Sequence, residues 1–266
     1  MTPPALQSSP LDHDLELHFK KLAQFGSTEE CVRSRLFREI ESELHRVLDG
    51  IEEGSFLPIK GPETGCAIRA VAWNIERGIQ LDGVLDALAT DPALSASDLM
   101  LLTEADYGMA RTSNRHVARE IAASLGLHYV FVPCYLNLNK GAGVEAEAEG
   151  ENTLALHGNA IMSRYPLHRA HGLALPNGKD KMVGREKRLG SQRAVIADVA
   201  HPLGMFRAVA LHMDAHSSQR HRHRQMQLLL DHLESLEPRL SVLIGGDWNT
   251  TTHNARRALY SILGYV

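Results

Sequence analysis

The apolar run Val242-Leu243-Ile244 leads directly into Gly245-Gly246-Asp247-Trp248-Asn249-Thr250. This is the pattern of a buried strand that ends in a glycine pair and then presents Asp247 and Asn249 on one face, because side chains alternate along an extended chain. A carboxylate beside a carboxamide is poor core material. It is good material for holding phosphate oxygens, water and a hard cation. The chain therefore needs a sheet whose strand ends open onto a polar site.

The rest of the sequence supplies the other layers. Val32, Leu36, Ile40, Leu44, Leu48 and Ile51 recur at helical spacing, with a shorter set (Leu15, Phe19, Leu22) before them. Ser27 with Glu30 reads as a capping box, and Gly50 and Gly54 mark the exit. Residues 1–55 are thus expected to form a helical N-terminal extension, and 56–66, with Pro58, Gly61 and Pro62, a linker. From Ala67 onward short strands alternate with helices, so 67–266 reads as one α/β domain. Strands are expected at Ile68–Trp73, Asp98–Leu102, Tyr129–Val132, Asn159–Ser163, Arg193–Val199, Met205–His212 and Val242–Gly245. The strands Arg193–Val199 and Met205–His212 read as a hairpin across His201-Pro202-Leu203-Gly204. Helices are expected at Leu81–Leu88, at Arg115–Leu125 and at Ser217–Leu236, whose buried face is Met226, Leu229, Leu230 and Leu233. Gly141–Gly150 reads as a surface loop. Mixed strands and helices with hairpins make sheets covered by helices, a layered α/β sandwich.

Four expected strand ends carry polar residues that a core would reject: Asn74 and Glu76, then Glu104, then His212, then Asp247 and Asn249. The oxygen ligands Asn74, Glu104, Asp247 and Asn249 suit Mg²⁺ or Mn²⁺ better than zinc. A second histidine group (His212, His216, His221, His223) is interleaved with Arg220, Arg222 and Arg224, and is expected to be a solvated helix start near phosphate. Between Arg164 and Arg193 eight Lys/Arg stand against two acids, a charge pattern able to steer an anion, although an ordinary charged loop explains it nearly as well. Asp106 and Asp214 are expected to be solvated or to cap loops. A formal net charge of −4 argues against a generic nucleic-acid coat protein. Three scattered cysteines, no leader-like N-terminus and no long apolar stretch point to a cytoplasmic protein.

Taken in order, Ala72-Trp73-Asn74-Ile75, Leu102-Thr103-Glu104, Gly158-Asn159-Ala160-Ile161-Met162-Ser163-Arg164-Tyr165-Pro166, Arg193-Ala194-Val195, Leu211-His212 and Gly245-Gly246-Asp247-Trp248-Asn249 resemble the endonuclease/exonuclease/phosphatase superfamily of metal-dependent phosphoesterases. The resemblance implies a deoxyribonuclease-I-like four-layer α/β/β/α sandwich. It implies Glu104 as principal metal ligand supported by Asn74, with Glu76 as an outer or second-metal ligand. Asp247 would orient or deprotonate the attacking water, Asn249 would bind the scissile phosphate or a metal-bound water, and His212 would contact the phosphate or protonate the leaving oxygen. Asn159 and Arg193 would order the loops around them. The implied cofactor is Mg²⁺ or Mn²⁺. The implied partner is a phosphoester, from nucleic acid to a phosphorylated small molecule or lipid headgroup.

Relatives carry a further Ser-Asp-His-like strand after the Asn249 position, and no such motif precedes Val266. The expectation is a domain incomplete at its C-terminus, with an unpaired sheet edge and exposed apolar surface. A catalytically inactive binding or scaffold protein, recruiting partners through a helical contact over 28–52, is the rival. A non-catalytic DNA-binding module is disfavoured by the acidic balance.

Overall fold

The structure, a computed structural model, describes residues 11–56, 67–215 and 217–250. The linker beyond Phe56, Cys66, His216 and the segment after Thr250 lie outside the described residues.

Four helices lead the chain or flank its first strands: α1 (Phe19–Leu22), α2 (Thr28–Arg33), α3 (Arg35–Leu48) and α4 (Leu81–Thr90). Two follow, α5 (Val117–Leu125) and α6 (Gln219–Ser235). The strands are β1 (Glu52–Ser55), β2 (Ala70–Arg77), β3 (Leu99–Tyr107), β4 (His128–Asn137), β5 (Leu156–Ser163), β6 (Leu167–Ala174), β7 (Arg188–Gly190), β8 (Arg193–His201), β9 (Gly204–His212) and β10 (Ser241–Asp247). One sheet has the order β1-β4-β5-β3-β2, with β7 also on β4; the other has the order β10-β9-β8-β6.

Alternation along the strands builds the layers. On β3, Met100 and Leu102 face a core shared with Phe37, Ile40, Leu44, Val84, Leu88 and Ile121 of the helices. Leu99 and Leu101 point the other way, into an inter-sheet core with Val195, Ala197, Ala208 and Ala210. Ile196, Val209 and Leu211 then face Leu229 and Leu233 of α6. The result is the expected α/β/β/α sandwich. Each sheet contains one β-helix-β unit with parallel strands, β2–α4–β3 and β9–α6–β10. The two units abut where β10 crosses β2.

Several expectations are corrected. The helical reading of 1–55 ends at Leu48, because Glu52–Ser55 extends the first sheet against β4. The expected stripe is rotated as well: Phe37, Ile40, Leu44, Val47 and Leu48 are buried while Val32 is 43% exposed. That apolar face packs against the core of the first sheet. Ser27 caps α2 by accepting from the Glu30 N–H, but the Glu30 carboxylate reaches back to the Gly26 N–H rather than to Ser27. The Gly141–Gly150 loop contains a 3-10 turn at Gly143–Glu147. On α6 the buried face is Arg222, Gln225, Leu229 and Leu233, and Leu230 is exposed. Its first turns face polar backbone, with Arg222 donating to the Ser217 carbonyl and Gln225 to that of Pro176, and the apolar face starts at the partly buried Met226, which packs against the core of Leu229 and Leu233 as expected. The hairpin expected between β8 and β9 is present, closing at His201 and Gly204. Among the described residues β2 and β10 are sheet edges, and Val242, Leu243 and Trp248 remain exposed there.

Candidate active site

Every strand of the two β-helix-β units ends at the same mouth. Asn74 stands on β2, Glu104 on β3, His212 at the last residue of β9 and Asp247 at the last residue of β10, where His212 and Asp247 are paired in register. Ligands of open α/β sheets are bound outside the carboxyl ends of parallel strands, and these four residues occupy that position in both sheets.

Local irregularity aims them. The β2–β3 register shifts between Asn74 and Arg77, and the β3–β5 register shifts between Leu102 and Ala105. Glu76, Arg77 and Glu104 have φ of 48°, 65° and 58°, a left-handed conformation that costs side-chain-bearing residues of the order of 1–3 kcal/mol. Two neighbouring bulges of this kind re-aim side chains out of the ladder. The glycine pair serves the same purpose on β10. A Cβ on Gly245 would lie 2.7 Å from Leu101 and 2.9 Å from Ala72, so the strand crosses the other sheet in close contact. Gly246 has φ 131° and its Cβ would lie 2.0 Å from the Leu211 carbonyl oxygen.

The Asn74 amide joins the two acids: Nδ2 donates to Glu104 Oε1 at 3.1 Å and to Asp247 Oδ2 at 3.0 Å. Its Oδ1 accepts the Glu76 N–H at 3.0 Å, so the nitrogen, not the oxygen, faces the carboxylates. His212 Nε2 lies 3.8 Å from both Glu104 Oε1 and Asp247 Oδ2. Burial would raise the Glu104 carboxyl, but His157, His212, Arg77 and the Asn74 amide together hold it below the usual carboxylate range. Asp247 is also held low: burial opposes this, and the Asn74 amide, the Asn249 N–H and His212 outweigh it. Burial pushes His212 down against the pull of the two acids.

The remaining expected residues are placed differently. Glu76 is exposed and enters the site through its backbone. Asn249 is buried, donates from Nδ2 to the Met213 carbonyl at 2.8 Å, and its N–H bonds Asp247 Oδ1 at 2.9 Å, so it locks the turn after β10 onto the end of β9. Asn159 accepts from the Glu104 N–H at 3.4 Å and donates to the Arg193 carbonyl at 2.8 Å, tying the Glu104 bulge to the second sheet. The Arg193 guanidinium turns away to Asp49 at 2.7 Å.

Asp106 and Asp214 are buried rather than solvated, and Asp214 caps a loop as expected, at the Gly178 N–H. Asp106 holds Arg111 through two bonds, at 2.7 and 3.0 Å, and His157 at 2.9 Å. Arg111 continues to Glu186 at 2.6 Å and Glu145 at 3.0 Å, and Glu145 faces Arg77, itself 3.8 Å from Glu104. Asp214 accepts from the Gly178 N–H and from Lys181. Sequence reasoning missed this buried ion network, because partners such as Arg111 and Glu186 lie 75 residues apart. The only local signals were polar residues inside an apolar strand, Asp106 on β3 and His157 on β5. Arg222 of the histidine-rich run is likewise buried rather than solvated.

The donor chemistry fits a hard divalent cation. Two carboxylates are kept ionised side by side, and Mg²⁺ is commonly held by one or two carboxylates with water and substrate phosphate completing the shell. Among the described residues no group of three or more His, Cys, Asp or Glu is arranged to hold a metal.

Strand-end carboxylates, an amide clamp and a buried imidazole thus meet at the junction of the two β-helix-β units. The Endonuclease/Exonuclease/phosphatase family model matches residues 71–265, and the chain belongs to that family. Among solved structures it is similar to an endonuclease/exonuclease/phosphatase from Beutenbergia cavernae DSM 12333, with 18% identity and a TM-score of 0.47 over 67% of this chain and 47% of that one. The human nocturnin catalytic domain with bound sulfate gives 16% identity and a TM-score of 0.49, covering 79% and 72% respectively. A family protein from Leptotrichia buccalis C-1013-b gives 12% and 0.48, with 74% of each chain covered. The chain thus spans about half the length of the Beutenbergia protein it matches. Comparison with curated proteins gives no match.

Proposed function

We propose that this chain hydrolyses a phosphoester with the help of a divalent cation, Mg²⁺ or Mn²⁺, at Glu104. The observation that carries the reading is the Asn74 amide, which gathers Glu104 and Asp247 from sequence positions far apart into one mouth. A bound cation there would neutralise phosphate charge and polarise a phosphoryl oxygen. The chain's own groups do the rest. Asp247, ionised and about one-third exposed, faces the mouth and orients the attacking water. His212, opposite both acids, hydrogen-bonds the phosphate. Asn74 keeps the two carboxylates aligned, and Asn159 and Asn249 hold the strand ends that carry them. The free, buried thiols of Cys31 and Cys134 support a cytoplasmic setting, and no helix among the described residues is long and apolar enough to cross a membrane.

The test is hydrolysis of bis(p-nitrophenyl) phosphate with Mg²⁺ and with EDTA. Chelation is expected to abolish turnover, and Glu104→Ala or Asp247→Ala to lower kcat by about 100-fold or more, as removal of a group stabilising transition-state charge does. Phosphate-analogue binding without turnover, or wild-type rates in either variant, would overturn the proposal.

A further inference from the structure

An open cavity of about 630 Å³ lies between the Ala142 loop and the segment from Lys179 to Arg188. Its volume is in the range of small-ligand sites. Four cations line it, Lys179, Lys181, Arg185 and Arg188, against two carboxylates, Asp180 and Glu186, in a protein whose net charge is −4. The framework is internally braced. Asp180 accepts from the Thr28 N–H at 2.8 Å, Lys181 bonds Asp214 at 3.0 Å, and Arg188 bonds Glu186 at 2.8 Å while its guanidinium lies 5.1 Å from the Tyr135 ring centroid. Lys179 and Arg185 are exposed, and among the described residues neither has an ionic partner. The exposed Val183 and Ala142 give the same cavity an apolar side.

The cavity is wired to the reaction mouth. Glu186 on its wall bonds Arg111, Arg111 bonds Glu145, and Glu145 faces Arg77 beside Glu104. A cavity with two uncommitted cations and an apolar side suits a phosphate joined to a sugar or polyol.

We propose that this cavity receives a second phosphate of the substrate, held by Lys179 and Arg185, so that substrates carrying more than one phosphate are preferred. The inference rests on the phosphoesterase reading of the Glu104–Asp247 mouth. An oligonucleotide and a bisphosphorylated polyol both present this chemistry, and separate arms of one experiment tell them apart.

The experiment compares wild type with Lys179→Ala/Arg185→Ala, using Arg33→Ala, an exposed charge outside the cavity lining, as the control. Rates are measured on bis(p-nitrophenyl) phosphate, a short single-stranded oligonucleotide and an inositol bisphosphate. Binding of the labelled oligonucleotide and of the inositol bisphosphate is measured separately in EDTA across a salt series. The double variant is expected to lower the ratio of kcat/KM for a multiply phosphorylated substrate to that for the single-phosphate ester by about 10-fold. For the oligonucleotide it should also flatten log K against log salt by about 0.7, one single-strand phosphate contact. Arg33→Ala should change neither. A drop confined to the oligonucleotide or to the inositol bisphosphate identifies the source. An unchanged ratio, or EDTA binding of both ligands equal in wild type and double variant, overturns the inference. Failure of wild type to turn over any substrate sinks the phosphoesterase reading instead, and the binding arm still decides the cavity.

Discussion

At the residue scale, the site turns on one amide between two acids. Two unit charges about 4 Å apart repel by about 4 kcal/mol at the effective dielectric of a protein surface. The Asn74 donor bonds at 3.1 and 3.0 Å offset this repulsion between Glu104 and Asp247. Removing the amide with Asn74→Ala is expected to cost about 1–2 kcal/mol, the usual consequence of leaving hydrogen-bonded groups unpaired. Asn74→Asp places a third carboxylate in the same gap and is expected to cost at least about 1 kcal/mol more than Asn74→Ala. Urea unfolding in EDTA at pH 7 measures both, and equal stabilities would mean the two acids do not share a field. These residues were legible because each follows an apolar run that only a strand explains. Arg77, Asp106 and His157 were not, because their worth lies in ion pairs across the fold, which no local pattern encodes. Arg193 was half legible: its backbone carbonyl orders the site through Asn159, while its side chain serves Asp49.

At the scale of elements, glycines separate positions the fold requires from positions it merely tolerates. Gly246 sits at φ 131° with its missing Cβ directed 2.0 Å from a backbone oxygen that cannot move without unzipping β9 from β10. Gly246→Ala is therefore expected to cost about 3 kcal/mol, from backbone strain and overpacking together. Gly83 lies inside α4 with nothing within 4 Å of its missing Cβ. Gly83→Ala is expected to add about 0.5–1 kcal/mol, since alanine loses less entropy in a helix. Thermal unfolding of the two variants should move in opposite directions, and a stable Gly246→Ala would contradict the strand-crossing geometry. Helices and buried strands were readable from period and length. β1 and β6 were not. Glu52-Glu53-Gly54-Ser55 has no strand-forming side chains and exists as an edge because β4 offers it a ladder. β6 is a half-exposed edge with a register shift between His168 and His171, fixed on β8 by the Arg169–Asp198 pair.

At the scale of the whole molecule, segments distant in sequence are pinned by buried charge as well as by the apolar layers. The sandwich itself was legible, since strands alternating with helices and a hairpin admit few other packings. The docking of the N-terminal helices was not, because it depends on single contacts such as Lys187 Nζ donating to the Ala23 and Phe25 carbonyls, and Asp180 accepting from Thr28. Glu186 is the charge whose loss would be felt most widely, joining the cavity wall to Arg111 and Arg188. Burial alone would raise its carboxyl, but these two guanidinium groups lower it from 4.5 to about 2. A folded-state value below the unfolded one contributes stability that is fully present above about pH 4.5 and lost as pH falls toward 2. At 1.36 kcal/mol for each pKa unit, the contribution is on the order of 3 kcal/mol. Glu186→Gln keeps the shape and removes the charge, so it should be destabilised at pH 7 by roughly that amount, with the gap to wild type closing between pH 4.5 and pH 2. Urea midpoints at a series of pH values read this directly. A gap that stays constant across the series would mean that Glu186 acts through packing, and that the long-range ion pairs do not hold these loops together.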